Sequence, residues 1–149
     1  MAARFRFRLE PLRKLREAFE REAQRSLARS IHAERQVRDE LDSLASQRNA
    51  LYESRRLAKG QVLDLDLWLA GERYLVVLER LQIEAFERLR TAAAKVLADR
   101  EALTVAHRNH LMLVRLKERR ALQHAQELQL REAMEMDELA ILGYHRHNV

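Results

Sequence analysis

The chain is predicted to be all-α, an antiparallel two-helix coiled-coil hairpin with unequal arms. Three observations predict this. Charged residues make up 34% and aromatic residues 5% of its 149 residues, with Ala, Glu, Leu, Arg and Gln dominant; this is the composition of long helices and coiled coils. Turn formers are almost absent, with one Pro (Pro11) and three Gly (Gly60, Gly71, Gly143). Only around Gly60 do a helix stop and a helix start fall together away from an end. A Gly just past a helix adopts the left-handed conformation that ends it, and Asp64 or Asp66 then caps the next helix through its carboxylate. The segment 60–65 is therefore the turn, with helix 1 over about 9–59 and helix 2 over about 65–142.

Helix 1 starts within a few residues of Leu9, because Pro11 costs nothing in a first turn, where its missing N–H has no partner. Leu12, Leu15, Phe19, Ala23, Leu27 and Ile31 follow at steps of three and four, one helical stripe. The steps of four around Ala23 read as a stutter in the supercoil. The stripe resumes as Val37, Leu41, Leu44, Leu51 and Ala58, with Arg48 and Arg55 on the same line. These arginines are expected to lay their stems along the seam and lift their heads into water.

Helix 2 opens on the most apolar stretch of the chain, Leu65, Leu67, Trp68 and Leu69, then Tyr74 to Leu78 and Leu81. One seam cannot use all of these. The surplus either caps the turn or forms a patch for a partner. Gly71 interrupts this stretch and is expected to kink or fray it, since Gly costs roughly 1 kcal/mol against Ala in a helix. Small residues at Ala85, Ala92 and Ala106 allow the helices to approach closely.

At 1.5 Å per residue the arms would measure roughly 75 and 115 Å. Folding at the turn sets Leu51 opposite Leu75, Val37 opposite Leu89, Ala23 opposite Leu103 and Leu12 opposite Leu113. Beyond about Ala121 helix 2 has no partner in the chain, yet Leu122, Leu128, Leu130, Met134, Met136, Leu139, Ile141 and Leu142 follow. The end that holds both termini is therefore a docking end.

Charge and motifs exclude several functions. The net charge is +5. Residues 1–16 carry Arg4, Arg6, Arg8, Arg13, Lys14 and Arg16 against Glu10, which accounts for the whole excess. The molecule has a basic tip rather than a basic length, a weak case for nucleic-acid binding. No Cys is present, so thiolate metal sites and disulfides are excluded. No apolar run reaches the ~20 residues that span a bilayer, and the basic N-terminus lacks a signal peptide's apolar core; a cytoplasmic location without membrane insertion is expected. No Gly-rich phosphate loop exists, and the carboxylates are spaced as helix-face ion pairs. No catalytic residue, cofactor or metal is assigned. His107 and His110 share a helical face, but no carboxylate motif beside them completes a ligand set.

Phe5-Arg6-Phe7-Arg8-Leu9-Glu10, with Leu12 and Leu15-Arg16-Glu17, resembles the opening of the FliJ family of bacterial flagellar export proteins. Glu132 and Asp137-Glu138-Leu139-Ala140 resemble its closing segment, and Trp68, Tyr74-Leu75 and Leu78 fit its post-turn stretch. Gly71 and Ala85 depart from the family's pattern. The resemblance implies a coiled coil similar to the central shaft of rotary ATPases. It further implies a non-enzymatic stalk at the cytoplasmic face of the inner membrane, binding the hexamer of the flagellar export ATPase and promoting its assembly and ATP hydrolysis. The ring-facing residues would be Arg4, Phe5, Arg6, Phe7, Leu9, Met134, Asp137, Glu138 and Leu139. Tyr74, Leu78 and Leu81 would face the cytoplasmic domain of the export gate, and export chaperones would be further partners. The alternatives are the inner stalk of a virulence-type injectisome, a nucleic-acid-binding coiled coil, and a scaffold in which the hairpin opens and two chains pair.

Overall fold

A computed structural model describes residues 4–148. It is a hairpin of two helices, α1 (Glu10–Leu57, 48 residues) and α2 (Leu65–His147, 83 residues), with no strand among the described residues. The turn follows from local chemistry. Gly60 has φ 93°, the only positive φ among the described residues, a conformation that L side chains resist. The Gln61 N–H donates to the Ala58 carbonyl at 3.1 Å and the Lys59 N–H to the Arg56 carbonyl at 3.3 Å, closing the end of α1. Of the two candidate caps, Asp64 is the one used. Its Oδ1 accepts from the N–H groups of Asp66 (3.1 Å) and Leu67 (3.3 Å), satisfying donors that have no partner within the helix.

The chain divides into two compact units, Glu22–Thr104 and Met1–Arg21 with Val105–Val149. In the first, the start of α2 returns along the end of α1. Its core is Leu44, Leu78 and Ala85, with Leu41 and Leu81 packed against it. Leu78 is 1% exposed and Ala85 0%. Ala85 lets the helices approach closely here, which is why so few large side chains suffice to bury Leu78 and Leu44. Ser30 is also buried, and its hydroxyl donates to the Leu27 carbonyl at 3.0 Å, so its desolvation is offset. Arg88 forks onto both oxygens of Glu40 at 2.6 and 2.7 Å, bridging the two helices. This pair holds the Glu40 carboxyl below its usual range, although exposure to solvent keeps its stabilisation small. Tyr74 Oη donates to Gln47 Oε1 at 2.9 Å. These pairs match the expected register to within about one helical turn.

α2 does not fray at Gly71, since it is helical without interruption through it. A Cβ at Gly71 would lie 2.8 Å from Arg55 Nη2 and 3.6 Å from Leu51 Cδ1, so the missing side chain makes room for the Arg55 head. Arg55 correspondingly does not reach for water. Its guanidinium lies 3.7 Å above the Trp68 ring centre, donates to Glu72 Oε1 at 2.7 Å and contacts the Trp68 carbonyl at 3.2 Å. Stacking and pairing of this kind suit the planar guanidinium.

The second unit joins the start of α1 to the C-terminal part of α2, and its seam differs from the expected one. Leu15 and Phe19 are about half exposed, at 48% and 51%. Arg13, Arg16, Glu17 and Glu20 are the less exposed positions. The reason is polar pairing across the helices. Glu10 binds Arg13 in its own helix and Lys117 of α2 at 2.9 Å, while Glu20 binds two histidines of α2. α2 also runs on through Gly143 to His147 instead of stopping near Leu142. His145, Arg146 and His147 occupy its last turn, where positive charge offsets the partial negative charge of the carbonyl end.

Leu78→Ala is expected to lower unfolding stability by about 3 kcal/mol through the cavity it leaves, read from urea denaturation. Ala85→Leu is expected to cost about 1–3 kcal/mol by forcing the helices apart. Leu130→Ala, on an exposed surface, is expected to leave the same midpoint unchanged.

Candidate docking surfaces

The first surface is the unit holding both termini. Residues 4–7 precede α1 without regular structure. Within 4–9, exposure alternates: Arg4, Arg6 and Arg8 are exposed while Phe5, Phe7 and Leu9 are half-buried. The apolar members lie toward α2. Phe5 meets the His124 ring at 5.6 Å between centroids, tilted 51°. Phe5, Phe7 and Leu9 line a groove of about 440 Å³ whose α2 wall runs from Leu116 through His124 to Glu127. The alternating pattern that reads in isolation as a strand is thus an extended lead-in lying along a helix.

This lead-in moves the start of the unpaired region outward from Ala121. Ala121, His124 and Leu128 are half-buried, and every described residue from Gln129 to Asn148 is exposed. In that segment Leu130, Met134, Met136, Leu139, Ile141, Leu142 and Tyr144 are 57–68% exposed. At 100° per residue, Leu130, Met134 and Ile141 share one face while Met136 and Leu139 lie on another. A helix apolar on more than one side is suited to enclosure rather than to docking on a flat surface. Asp137 lies at the edge of the first face, about 20° from Leu130, and Glu138 about 40° beyond Met134; both are also exposed. The expected ring-facing residues therefore fall in one unit but not in one patch. Met134 is seven residues, or about 10 Å, beyond Glu127 at the groove's end, and Asp137, Glu138 and Leu139 lie further on.

Beneath the lead-in are two carboxylate clusters that sequence reasoning missed. Glu10 accepts from Arg13 Nη2 at 2.6 Å and lies 2.9 Å from Lys117 Nζ. Hydrogen bonds from Arg13 and then Lys117 lower its pKa from 4.5 to about 2. Glu20 accepts from His107 Nδ1 at 2.9 Å and His110 Nδ1 at 2.6 Å, one imidazole on each oxygen. These bonds, His107 first, also lower the Glu20 pKa. Because a carboxylate only accepts, His110 Nδ1 carries a proton, and His110 Nε2 is buried without a protein partner. Among the described residues no group of three His, Cys, Asp or Glu is placed to hold a metal ion. Only the i,i+3 spacing of His107 and His110 hinted at this cluster; that Glu20 faces them depends on register across 87 residues of chain.

The second surface is the turn. Val62 is fully exposed, and Leu57, Leu63, Leu65 and Leu67 are largely so. Trp68 folds over the turn beneath Arg55, so the apolar surplus divides into one capping ring and a cluster left in solvent. A cavity of about 660 Å³ beside it is lined by Leu51, Arg55, Leu63, Trp68, Gly71 and Tyr74. The expected gate-facing set is only partly accessible. Tyr74 is exposed at its edge, but Leu78 is core and Leu81 packs against the core. One turn beyond Tyr74, Leu78 packs with Leu44 and Ala85, so Leu78 cannot touch a partner while the hairpin is closed.

The Glu10 cluster sets a pH dependence whose sign follows from the lowered pKa. The carboxylate contributes stability in full above its ordinary value of 4.5, and this is lost as pH falls toward about 2. Thermal melts between pH 6 and 2 (roughly the span in which carboxylates titrate) are expected to show a drop that is shallower in Glu10→Gln. Equal slopes in the two proteins would remove Glu10 from the account.

No curated protein and no solved structure matches the chain. The family model for the flagellar FliJ protein matches residues 5–149. That match takes in the basic-aromatic lead-in, both helices, the turn and the exposed C-terminal helix. The chain belongs to the FliJ family, whose members are components of the flagellar export apparatus.

Proposed function

We propose that this protein is a non-enzymatic stalk of the flagellar export apparatus that docks its C-terminal helix into a ring-shaped ATPase partner and promotes ring assembly and ATP hydrolysis. The observation that carries the proposal is the segment 129–148, helical to His147 and apolar on more than one side, with nothing among the described residues to cover it. A central pore would surround such a helix and bury both apolar lines at once. Arg4, Arg6 and Arg8 project from the same unit, and acidic loops at the pore mouth would meet them. Such charge pairing adds mainly to the association rate and to the choice of partner.

The turn supplies the other contact in this reading. Its solvent-exposed leucines and the edge of Tyr74 would meet the cytoplasmic domain of the export gate, and export chaperones would bind exposed apolar faces of the hairpin. The protein would then work peripherally at the cytoplasmic face of the inner membrane. Among the described residues no helix is long and apolar enough to cross it.

The deciding assay is ATP hydrolysis by the cognate export ATPase, titrated with the full chain and with a chain lacking residues 129–149. Stimulation by the full chain and none by the truncated one is expected, with the truncated hairpin still helical by circular dichroism. Equal stimulation by both would reject docking through this helix. Met134→Asp with Leu139→Asp is expected to weaken stimulation at least tenfold, since about 1.4 kcal/mol is tenfold in binding and two buried apolar contacts exceed that.

A further inference from the structure

The outward side of α2 within Glu22–Thr104 carries a second heptad line that the hairpin touches only at Glu72, held by Arg55, and at the half-buried Ala93. Leu69, Val76, Ile83, Arg90 and Leu97 recur every seven residues, and Glu72, Glu79, Phe86, Ala93 and Arg100 recur every seven, three places later. Val76, Ile83, Phe86 and Leu97 are 59–66% exposed. At 100° per residue this line lies about 130° around the helix from the seam residues Leu78, Ala85 and Val96. A strict seven-residue repeat drifts about 20° per heptad on a straight helix, and a left-handed supercoil with another helix cancels that drift. The line is therefore shaped for a helix.

We propose that the occupant is the same segment of a second copy of this chain, running antiparallel, with both hairpins closed. In an antiparallel pair the first heptad line of one helix packs on the second line of the other. Centring the two-fold axis between Glu84 and Ala85 places Ile83 against Phe86 of the second copy and Val76 against its Ala93. The same register places Glu79 against Arg90 of the second copy, and two-fold symmetry repeats every contact. Arg80, beside the line, then faces Glu87 of the second copy. Among the described residues neither Glu79 nor Arg90 is held in an ion pair within the chain. Sliding by one heptad in one direction sets Glu79 against Ile83, and in the other against Leu97; each buries a carboxylate against a branched aliphatic side chain. Charge and apolar pattern thus agree on one register. At the flanks Leu69 meets the aliphatic stem of Arg100, and Leu97 meets Glu72, whose carboxylate, unlike that of Glu79, is already paired with Arg55 of its own chain; the dimer is thus confined to about three heptads and is weak.

Light scattering and sedimentation of the full chain across concentration test this. The mass is expected to rise from 17.6 kDa toward twice that value, and Ile83→Lys, at an exposed position, is expected to hold it at the monomer while leaving the helix content unchanged. Glu79→Arg and Arg90→Glu are each expected to weaken association, and together to restore it. Because the chain has no cysteine, Ile83→Cys and Phe86→Cys chains can be mixed under oxidation. Disulfides between unlike chains are expected to outnumber those between like chains. A constant monomer mass overturns the proposal. So does a dimer that survives Ile83→Lys, or one whose charge-swapped pair does not recover.

Discussion

Two helices can cover only one side of each other. That constraint governs this molecule more than any single contact. A helix exposes its whole circumference, and a single neighbour removes about a third of it from water. Where the neighbour is close, as at Ala85, the covered strip is narrow but dry, and Leu78 and Leu44 become core. Everything outside the strip remains on the surface, including large apolar residues that a globular fold would bury. Such surfaces have consequences: in a component of an export machine they are the material from which docking sites are made.

The hairpin treats its two ends differently. Near the turn, the seam is apolar and is closed by an arginine lying over a tryptophan. A glycine provides the space for that arginine, so a residue that weakens a helix in isolation strengthens the contact between two. At the other end the seam is polar. Glu10 and Glu20 each collect two positively charged or protonated donors, and Leu15 and Phe19 turn outward. A polar seam is less stabilising than an apolar one of equal area, because part of each ion pair's attraction is spent on desolvation. It is, however, directional. Carboxylates that accept from specific donors fix the register, so the extended segment 4–9 meets α2 where Phe5 reaches His124. The polar pairs thus position the lead-in beside the exposed helix.

Much of the fold was legible in the chain because it depends on local rules. Gly60 ends a helix by its own conformational freedom, and Asp64 begins one by capping its own neighbours. The register followed from the turn by counting. The sites were legible only in outline. That the terminal end would carry uncovered apolar residues could be read from the unequal arms. That the uncovered part starts near Gln129 could not, since it depends on how far an extended segment reaches. Leu78 and Tyr74 looked equivalent as members of one apolar run, yet one is core and the other is not.

Sequence alone determined the two helices, their turn, their caps and the basic tip, since each is set by residues within a few positions of one another. Only the tertiary structure decided which side of each helix is covered. Near the N-terminus it chose Arg13, Arg16, Glu17 and Glu20 over Leu15 and Phe19 for the seam. The physical reason is that the partners drawing Glu10 and Glu20 to this side, Lys117, His107 and His110, lie about a hundred residues away along the chain. Hydrophobic periodicity in one segment carries no record of the donors opposite it. Burial is a property of the pair of helices, and the pair exists only once the chain has folded back.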